Sequence, residues 1–441
     1  MGIKVSMVSL GCSKNQIDAE VLLGKIKNQG YELVPNVGES DVAIVNTCGF
    51  IQSAKEEAIE NILELAQLKK EGTIKAIIVT GCMAERYKSE IMDEIEEVDA
   101  VLGIGSNDEI CDAIQKTVKG QKTMSFKAKG NLSMNGERVL TTLPFYAYIK
   151  VAEGCDNCCS YCAIPQIRGP FRSRPMEEII EEAKWLASQG VKELIVVAQD
   201  TTRYGEDLYG EYKLATLLKE LCKIDELVWI RPLYCYPDKI TDELLDVISS
   251  QVKIAKYLDI PLQHCNEGIL RSMNRGMNKQ EITALIDKIR ARVKDITIRT
   301  TLIVGFPGET DEQFTELCDF VDEMQFERLG CFAYSAEENT PAAEMENQID
   351  EDVKSKREEI IMTQQSMIME RLNEEKLSTT VRVIVEGFDK FGECYFGRTE
   401  ADAPEVDGKI FFTSDKLHTM GDFVDVQVNE VLDYDLVGTR V

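Results

Sequence analysis

The sequence predicts an α/β protein built in three parts, and three observations lead to this fold class. In about the first 120 residues, three β-branched runs each precede a helical pattern. Between residue 144 and about residue 335 the same alternation occurs six times, whereas the remainder after about residue 377 contains only short β runs. Alternating strands and helices indicate parallel sheets with right-handed crossovers. Several short strands in a small segment indicate a barrel.

The N-terminal part is expected to form a parallel-sheet α/β domain. The hydrophobic patterns predict strands at 3–10, 41–47 and 74–80, and helices at 15–29, 53–70 and 84–97. A cysteine follows each strand, and we call these three the sheet-edge triad: Cys12, Cys48 and Cys82. Ligands of parallel sheets bind at the carboxyl ends of the strands, so we expect the three thiols to meet there. The alternative is three small buried residues in turns, but the repeated placement favours a three-thiolate cluster site.

The middle part is predicted to begin after a polar linker at residues 121–143. Its six candidate strands lie at 146–152, 192–198, 227–233, 255–260, 296–304 and 328–334. Two helix limits are also readable: Pro175 opens a helix that Gly190 closes, and Thr310 starts a capping box with Gln313. Six units are too few for a complete eight-stranded barrel.

Four features stand near the predicted carboxyl ends of these strands, where barrel enzymes place their active sites. Gln199, Arg299 and Gly305 are candidate contacts for a cofactor. Gly305 opens a Gly-Phe-Pro-Gly turn that would let the backbone approach a ligand, although a turn that feeds a helix needs none. His264 is either a functional residue or a buried polar residue with satisfied hydrogen bonds.

The C-terminal part is predicted as one long helix followed by a small OB-like barrel. The helix spans about 350–376 and is expected to close over the middle part. Its stripe of Val353, Ile360, Met367 and Ile368 is interpreted as core packing. The predicted domains are therefore 1–120, a linker at 121–143, 144–374 and 375–441.

Composition narrows the classes of function. No apolar run approaches the roughly 20 residues that span a bilayer, and the first residues have the pattern of a strand rather than of a signal peptide. We therefore expect a cytoplasmic protein without a membrane partner. Fourteen cysteines against two histidines favour thiolate ligation of metal over disulfides. A net charge of −27 works against broad nucleic-acid binding and suits a basic partner.

One short loop carries the most specific motif of the chain. Cys155, Cys159 and Cys162, which we call the loop triad, have the spacing C-x3-C-x2-C. Closed iron–sulfur and structural zinc sites use four protein ligands, so three ligands leave one metal position open to a small molecule. Cys158 would give the alternative register C-x2-C-x3-C. We favour Cys159 because C-x2-C followed by residues 163–165 (Ala-Ile-Pro) resembles the radical SAM superfamily, which this motif favours over a zinc knuckle.

That resemblance implies an open, partial (βα)6 barrel and a 4Fe–4S cluster whose fourth iron is chelated by S-adenosylmethionine (SAM). The order of the three parts resembles the radical SAM methylthiotransferase family, which has an N-terminal cluster domain, a radical SAM core and a C-terminal TRAM domain. In that family, reduction releases a 5′-deoxyadenosyl radical that abstracts hydrogen from carbon. Sulfur then joins that carbon and a second SAM supplies the methyl group. An electron donor such as flavodoxin or ferredoxin is implied. By this likeness the sheet-edge triad holds an auxiliary, sulfur-handling 4Fe–4S cluster and the loop triad holds the SAM-cleaving one.

The family modifies either adenosines of transfer RNA or one aspartate of a small-subunit ribosomal protein. Residues 375–441 carry seven Lys or Arg and fourteen Asp or Glu, so a basic ribosomal protein suits this barrel better than RNA does. Three segments are similar to the RimO-type aspartate methylthiotransferases: 46–51, 199–205 and 402–408. The resemblance implies methylthiolation of an aspartate β-carbon in the twelfth protein of the small subunit, with RNA contact only if the substrate is on the ribosome.

Two alternatives stay open at this point. A transfer RNA methylthiotransferase would need a local basic face within an acidic whole. A non-catalytic iron–sulfur carrier would explain the cysteines but not the six strand–helix units.

Overall fold

The computed structural model describes residues 2–441 and contains two compact units. The first unit comprises the chain up to Thr141 together with Ala152–Arg174 and Ser335–Ala343. The second comprises Thr142–Val151, Pro175–Tyr334 and Glu344–Val441. Across these residues, no helix combines the length and the apolar character that crossing a bilayer requires.

The first unit is built on a six-stranded parallel sheet. Its strands are β1 (Lys4–Ser9), β2 (Glu32–Leu33), β3 (Val42–Thr47), β4 (Ala76–Gly81), β5 (Ala100–Leu102) and β6 (Thr123–Ser125). Five helices connect them: α1 (Ser13–Asn28), α2 (Gln52–Lys70), α3 (Cys82–Tyr87), α4 (Glu90–Glu94) and α5 (Ile110–Val118). The spatial order is β2–β1–β3–β4–β5–β6, so the strand order reverses between β1 and β3. The predicted parallel sheet is confirmed.

Successive apolar side chains of β3 point to opposite faces of the sheet, and helices cover both faces. Val42 and Ile44 pack into one apolar core with residues of α1 and α5. Ala43 and Val45 pack into a second core with residues of α2, α3 and α4. Successive side chains of a strand point to opposite faces, and a strand buried on both sides therefore consists of a continuous apolar run.

Two predictions for the first unit are corrected by the structure. The helix predicted at 84–97 is interrupted, because Lys88 adopts a positive φ of 50° between α3 and α4. Residues 121–143, predicted as a linker, contribute β6 to the edge of the sheet. The same segment carries Arg138, which forms a buried ion pair with Glu20 of α1.

The second unit begins with β7 (Tyr146–Lys150). The chain then returns to the first unit, where β8 (Ala152–Glu153) and β9 (Arg172–Ser173) form an antiparallel pair. Helix α6 (Ile164–Arg168) lies between these two strands in the sequence. The remaining parallel strands of the second unit are β10 (Glu193–Val197), β11 (Trp229–Pro232), β12 (Tyr257–Gln263), β13 (Thr297–Val304) and β14 (Arg328–Ala333). They form two three-stranded sheets, β7–β10–β11 and β12–β13–β14. Backbone hydrogen bonds such as Cys235 N to Asp259 O, 2.8 Å, link β11 and β12.

Helices surround these strands. They are α7 (Met176–Ser188), α8 (Glu206–Tyr209), α9 (Leu214–Leu221), α10 (Asp242–Ser250), α11 (Glu267–Ser272), α12 (Lys279–Arg292), α13 (Asp311–Met324) and α14 (Glu351–Glu374). Five of the eight, α10 to α14, begin with a side-chain cap. Thr310 and Gln313 form the predicted capping box at the start of α13.

The apolar stripe predicted on the long helix α14 is wrong. Val353, Ile360 and Met367 are exposed, and only Ile368 of the predicted stripe is buried. The buried face is largely polar, and part of its groups find partners: Arg357 pairs with Glu309 at 2.7 Å, and Gln365 Nε2 donates to the carbonyl of Phe326 at 2.8 Å. By contrast, Gln365 Oε1 and Asn373 Nδ2 have no hydrogen-bond partner among residues 2–441. Residues seven apart stay near one face of a helix, but their spacing does not show whether that face is the buried one.

The predicted small barrel is confirmed. It is a closed five-stranded barrel made of β15 (Thr380–Asp389), β16 (Cys394–Thr399), β17 (Ile410–Thr413), β18 (Phe423–Leu432) and β19 (Asp435–Arg440), in the order β15–β16–β17–β19–β18. Alternate residues of these strands fill its interior, among them Val383, Val385, Phe412, Val426 and Val428.

This C-terminal barrel contacts the amino ends of the six parallel strands of the second unit. Three carboxylates of the barrel take part in these contacts, and all three come from the segment 402–408, which was noted in the sequence only for its family resemblance. The contacts, one per strand, are Tyr146 to Glu405, Glu193 to Arg398, Arg231 to the carbonyl of Glu400, Tyr257 to Asp407, Arg299 to Asp407 and Arg328 to Asp402. The barrel therefore covers the end of the strands opposite to the carboxyl ends, where barrel enzymes carry out their chemistry.

Candidate metal centres and active site

The sheet-edge triad lies where three neighbouring strands end. In the ladder, Ser9 of β1 stands opposite Asn46 of β3, and Thr47 stands opposite Gly81 of β4. Cys48 and Cys82 are the next residues after the last pair, and Cys12 follows β1 after a short turn. The triad therefore spans the point between β1 and β3 where the strand order reverses, which is the ligand-binding position of open α/β sheets.

A glycine allows the loops of the triad to approach one another. Gly11, next to Cys12, has φ +90°, and a Cβ at this position would lie 2.9 Å from Cys48 Sγ and 2.7 Å from Cys48 Cβ. Any other residue would be strained in this conformation and would also displace the thiol. The glycine thus permits the close approach of Cys48 to the Cys12 turn.

Buried hydrogen bonds hold the same loops in register. The Asn15 side chain donates to the carbonyls of Leu10, at 2.7 Å, and Thr47, at 3.3 Å. The Asn46 side chain donates in return to the carbonyl of Asn15 at 2.8 Å. Because Asn15 and Asn46 are fully buried, these bonds are made without competition from water. The first turn of α1 is therefore bonded to the end of β3, next to Cys48.

The three thiols differ in exposure and acidity. Burial raises the pKa of Cys82 to about 12 and also raises the pKa of Cys48. Burial by the surrounding protein also acts to raise the pKa of Cys12. The cations of Lys14 and Arg168 and two backbone N–H groups lower it by more, so the pKa of Cys12 is lowered overall. Cys12 is nevertheless exposed to solvent, so the protein around this thiol does not cover it. A bound metal deprotonates coordinating thiols outright and would reverse the effect of burial.

The donor set fits an iron–sulfur cluster better than a single ion. Across residues 2–441, no three His, Cys, Asp or Glu side chains converge as the ligands of one metal ion do. In a 4Fe–4S cluster each thiolate binds a different iron, so its ligands stand farther apart than those of a mononuclear site. The sheet edge offers three sulfurs of this kind and no histidine, since the chain's two histidines, His264 and His418, belong to the second unit.

The loop triad lies between β8 and α6 in the same unit. Cys155 N donates to the carbonyl of Gly169 at 3.1 Å, and Cys162 N donates to the carbonyl of Cys159 at 3.0 Å. Cys155, Cys159 and Cys162 are half-buried, whereas Cys158 is exposed and has a positive φ of 49°. Cys158 thus differs in environment from all three residues of the favoured register, which supports Cys159 as the ligand.

The structure brings the loop triad and the sheet-edge triad into one neighbourhood. Cys82 packs in a buried cluster with Ala163 and Ile167, which follow the loop triad directly. Arg168, at the end of α6, donates from Nη2 to Cys82 Sγ at 3.1 Å. Sequence reasoning missed Arg168, because nothing in the pattern of the chain indicates which helix packs against Cys82.

The three residues predicted to contact a cofactor have different surroundings. Gln199 lies two residues beyond the carboxyl end of β10, as expected. Arg299 does not lie at the carboxyl end of its strand: it is the third residue of β13, and it pairs with Asp259 at 3.1 Å and with Asp407 at 3.7 Å. This position and these partners assign Arg299 to the attachment of the C-terminal barrel.

Gly305 has a packing reason to be glycine. Its φ is +69°, and a Cβ would lie 2.4 Å from Lys354 Cγ on α14. Its N–H donates to Glu309 Oε2 at 3.0 Å, and the same carboxylate oxygen lies 3.4 Å from His264 Nε2. The glycine turn is thus held by Glu309, and the buried His264 lies beside the same carboxylate without a hydrogen bond from its Nε2 to any described residue; neither feature by itself indicates a ligand.

Three known families match the chain in succession. Residues 4–103 match the uncharacterized protein family UPF0004, residues 149–321 match the radical SAM superfamily and residues 379–441 match the TRAM domain. These ranges correspond to the N-terminal sheet, the parallel-strand region and the closed barrel. The fold and the cysteine sites therefore define a protein of the radical SAM class with one further domain at each end.

Solved structures share this fold. The radical SAM methyltransferase TsrM of Kitasatospora setae, with tryptophan and a SAM analogue bound, superposes with a TM-score of 0.55 at 14% identity, covering 74% of this chain and 72% of that one. The cobalamin-dependent SAM radical enzyme OxsB gives a TM-score of 0.51 at 13% identity, covering 82% and 56%. At such identities the likeness concerns the fold alone.

Full-length relatives give the family. The ribosomal protein uS12 methylthiotransferase RimO of Lachnoclostridium phytofermentans is 50% identical over 440 residues, covering 99% of this chain and 100% of the relative. The RimO proteins of Clostridium tetani and Acetivibrio thermocellus are each 48% identical, covering 99% of this chain and 98% of theirs. This chain belongs to the RimO family of radical SAM methylthiotransferases.

Proposed function

We propose that this enzyme adds a methylthio group to the β-carbon of one aspartate of ribosomal protein uS12. The observation that carries the proposal is the identity of about half of all positions with RimO proteins over the whole chain, from the N-terminal sheet to the C-terminal barrel. The alternative of transfer RNA modification loses its basis, because these relatives are named for uS12. A carrier role without catalysis is also disfavoured by the radical SAM match.

The cofactors of the proposed reaction are two 4Fe–4S clusters and SAM. The sheet-edge triad would hold the auxiliary cluster, and the loop triad would hold the cluster that binds SAM. When bound, these groups supply the radical chemistry and the sulfur transfer that protein side chains cannot perform. Each triad leaves one metal position for a ligand other than protein, in accord with a reaction that needs both SAM and a sulfur donor.

The residues of this chain position and shield these groups. Gly11 and Asn15 set the distance and register of the strand-end loops that carry Cys12 and Cys48. Burial of Cys48 and Cys82 keeps water from two of the three thiols. Of the three residues predicted to contact SAM, we propose only Gln199, because Arg299 and Gly305 have structural partners that account for them.

The domain limits are part of the proposal. We retain the radical SAM core at 144–374 and the TRAM domain at 375–441. The N-terminal cluster domain, predicted to end at residue 120, is better extended to include β6, because this strand pairs with β5.

The partner is proposed to be a basic ribosomal protein in the cytoplasm, with electrons from a flavodoxin or ferredoxin. The net charge of −27 suits such a substrate.

Contact with RNA is expected only where uS12 is met on the small subunit, and one recess of the C-terminal barrel offers side chains suited to binding RNA. Phe388 and Phe391 are exposed there beside Lys390 and Lys409, a combination that stacks on bases and pairs with phosphates.

The test of the function is mass spectrometry of ribosomal proteins from cells with and without this gene. We expect uS12 to gain about 46 Da, the replacement of H by SCH3, on one aspartate only when the gene is present. Unchanged uS12 beside altered transfer RNA would contradict the proposal.

For the RNA contact, Phe391→Ala is expected to slow modification of assembled small subunits and to leave modification of free uS12 unchanged.

A further inference from the structure

Arg168 occupies a position that the established class of reaction does not explain. It ends α6, six residues after Cys162 of the loop triad, and its side chain is buried. Its Nη2 donates to Cys82 Sγ at 3.1 Å. A residue of the segment that carries one group of cysteines therefore touches a sulfur of the other group.

The Arg168 guanidinium is held by a set of buried partners. Nη2 also donates to Asn15 Oδ1 at 3.1 Å, and Nη1 donates to Asp18 and to Glu153 Oε2, the latter at 3.4 Å. Asn15, Asp18 and Glu153 are all buried. The planar fork of arginine has several donors in a rigid arrangement, so these acceptors fix its orientation and leave one N–H directed at the sulfur.

A fixed positive charge beside a ligating sulfur has a known physical consequence. Reduction adds an electron to an iron–sulfur cluster, so a nearby cation stabilises the reduced state more than the oxidised state. Hydrogen bonds to the sulfurs act in the same direction and are among the factors that set cluster potentials. The carboxylates of Asp18 and Glu153 oppose the effect, because both lie beside the same guanidinium.

We propose that Arg168 is a positioning residue that raises the reduction potential of the cluster on Cys12, Cys48 and Cys82 through its hydrogen bond to Cys82. The inference rests on the proposed function, since it requires a cluster at the sheet edge. The competing explanation is a purely structural ion pair that holds α6 against α1. That pair would affect stability but not the potential.

The experiment isolates the auxiliary cluster in the full-length protein. Cys155, Cys159 and Cys162 are all replaced by Ala, and this parent variant is reconstituted anaerobically. Iron content and the midpoint potential are then measured by a redox titration followed by electron paramagnetic resonance. Arg168→Gln is expected to lower the midpoint potential, and Arg168→Lys, which keeps the charge without the fork, is expected to lower it less. Arg172→Gln is the matched control, because Arg172 bonds the backbone carbonyl of Gly130, and it should leave the potential unchanged.

Asp18→Asn provides a test of opposite sign. It removes a negative charge beside Arg168 and keeps the side-chain shape, so the midpoint potential is expected to rise. If Arg168→Gln retains its iron and its potential is unchanged, the proposal is overturned. If Arg168→Gln cannot hold iron, Asp18→Asn decides: a raised potential supports the proposal, and an unchanged or lowered one overturns it. A parent variant without any iron would contradict the auxiliary cluster itself, and with it this inference.

Discussion

The two groups of cysteines are assembled in opposite ways. The loop triad lies within eight residues of one another, so local backbone geometry between β8 and α6 places all three thiols. The sheet-edge triad is drawn from three strand ends spread over the first 82 residues, and only the parallel ladder of β1, β3 and β4 brings it together. A site made by one loop can keep its shape when its surroundings loosen. A site made by a sheet edge depends on the packing of the whole domain, so the two groups should respond differently to mutation.

The largest expected effect comes from removing each triad separately. Replacing all three residues of the sheet-edge triad with Ala should halve the iron of the reconstituted protein, from about eight to about four irons per chain, while SAM cleavage persists. Replacing the loop triad should remove the other half and abolish SAM cleavage. Iron analysis and assay of 5′-deoxyadenosine measure both results. Cys111 is a half-buried cysteine of α5, and Cys111→Ala serves as the control: it should change neither the iron content nor SAM cleavage. A full iron content without the sheet-edge triad would contradict the two-site assignment.

The register of the loop triad is tested by two adjacent substitutions. Cys159→Ala should cost the loop its cluster and abolish SAM cleavage, because three thiolates are needed to hold it. Cys158→Ala should keep both, since this side chain is exposed and stands apart from the half-buried thiols. Loss of iron in the Cys158 variant and retention in the Cys159 variant would reverse the assignment.

Gly11→Ala should damage only the site that the sheet makes. The new Cβ would lie 2.9 Å from Cys48 Sγ, and alanine at φ +90° costs on the order of 1–3 kcal/mol of strain. We expect loss of the auxiliary cluster, SAM cleavage near wild type and a lower free energy of unfolding. Gly30→Ala is a matched control, because Gly30 also has a positive φ but a Cβ there meets nothing within 4 Å. It should lose stability by strain alone and keep all of its iron.

The smallest effect is expected from Asn15→Ala. This change removes buried hydrogen bonds to the carbonyls of Leu10 and Thr47 and the acceptor of Arg168 Nη2, and should cost about 1–3 kcal/mol in the free energy of unfolding. Chemical denaturation of the apo-protein measures the loss. Asn61→Ala removes an exposed hydrogen bond within α2, to the carbonyl of Glu57, and should have little effect. Equal losses in the two variants would show that the strand-end loops do not depend on the Asn15 bonds.

The amino-acid sequence alone was sufficient for features that depend on neighbours along the chain. The hydrophobic pattern and the turn residues predicted β1, β3 and β4 of the first sheet, the six parallel strands of the second unit, the capping box at Thr310 and the small barrel, because each reflects local backbone preference and a repeating buried face; the short strands β2, β5 and β6 were not predicted. The cysteines of the loop triad were proposed from their spacing, and the resemblance of residues 163–165 to the radical SAM pattern favoured Cys159 over Cys158. Those of the sheet-edge triad needed one further rule, that parallel strands end at the same edge.

Only the tertiary structure decided which distant side chains meet. Arg168 reaches Cys82 across 86 residues, and Arg299 turned out to serve the C-terminal barrel through Asp407. Helix α14 buries Arg357 and Gln365 instead of Val353 and Met367, and other elements provide partners for the Arg357 guanidinium and for Gln365 Nε2. Burial of a polar group is favourable only when its hydrogen bonds are made, and those partners are fixed by packing rather than by local pattern.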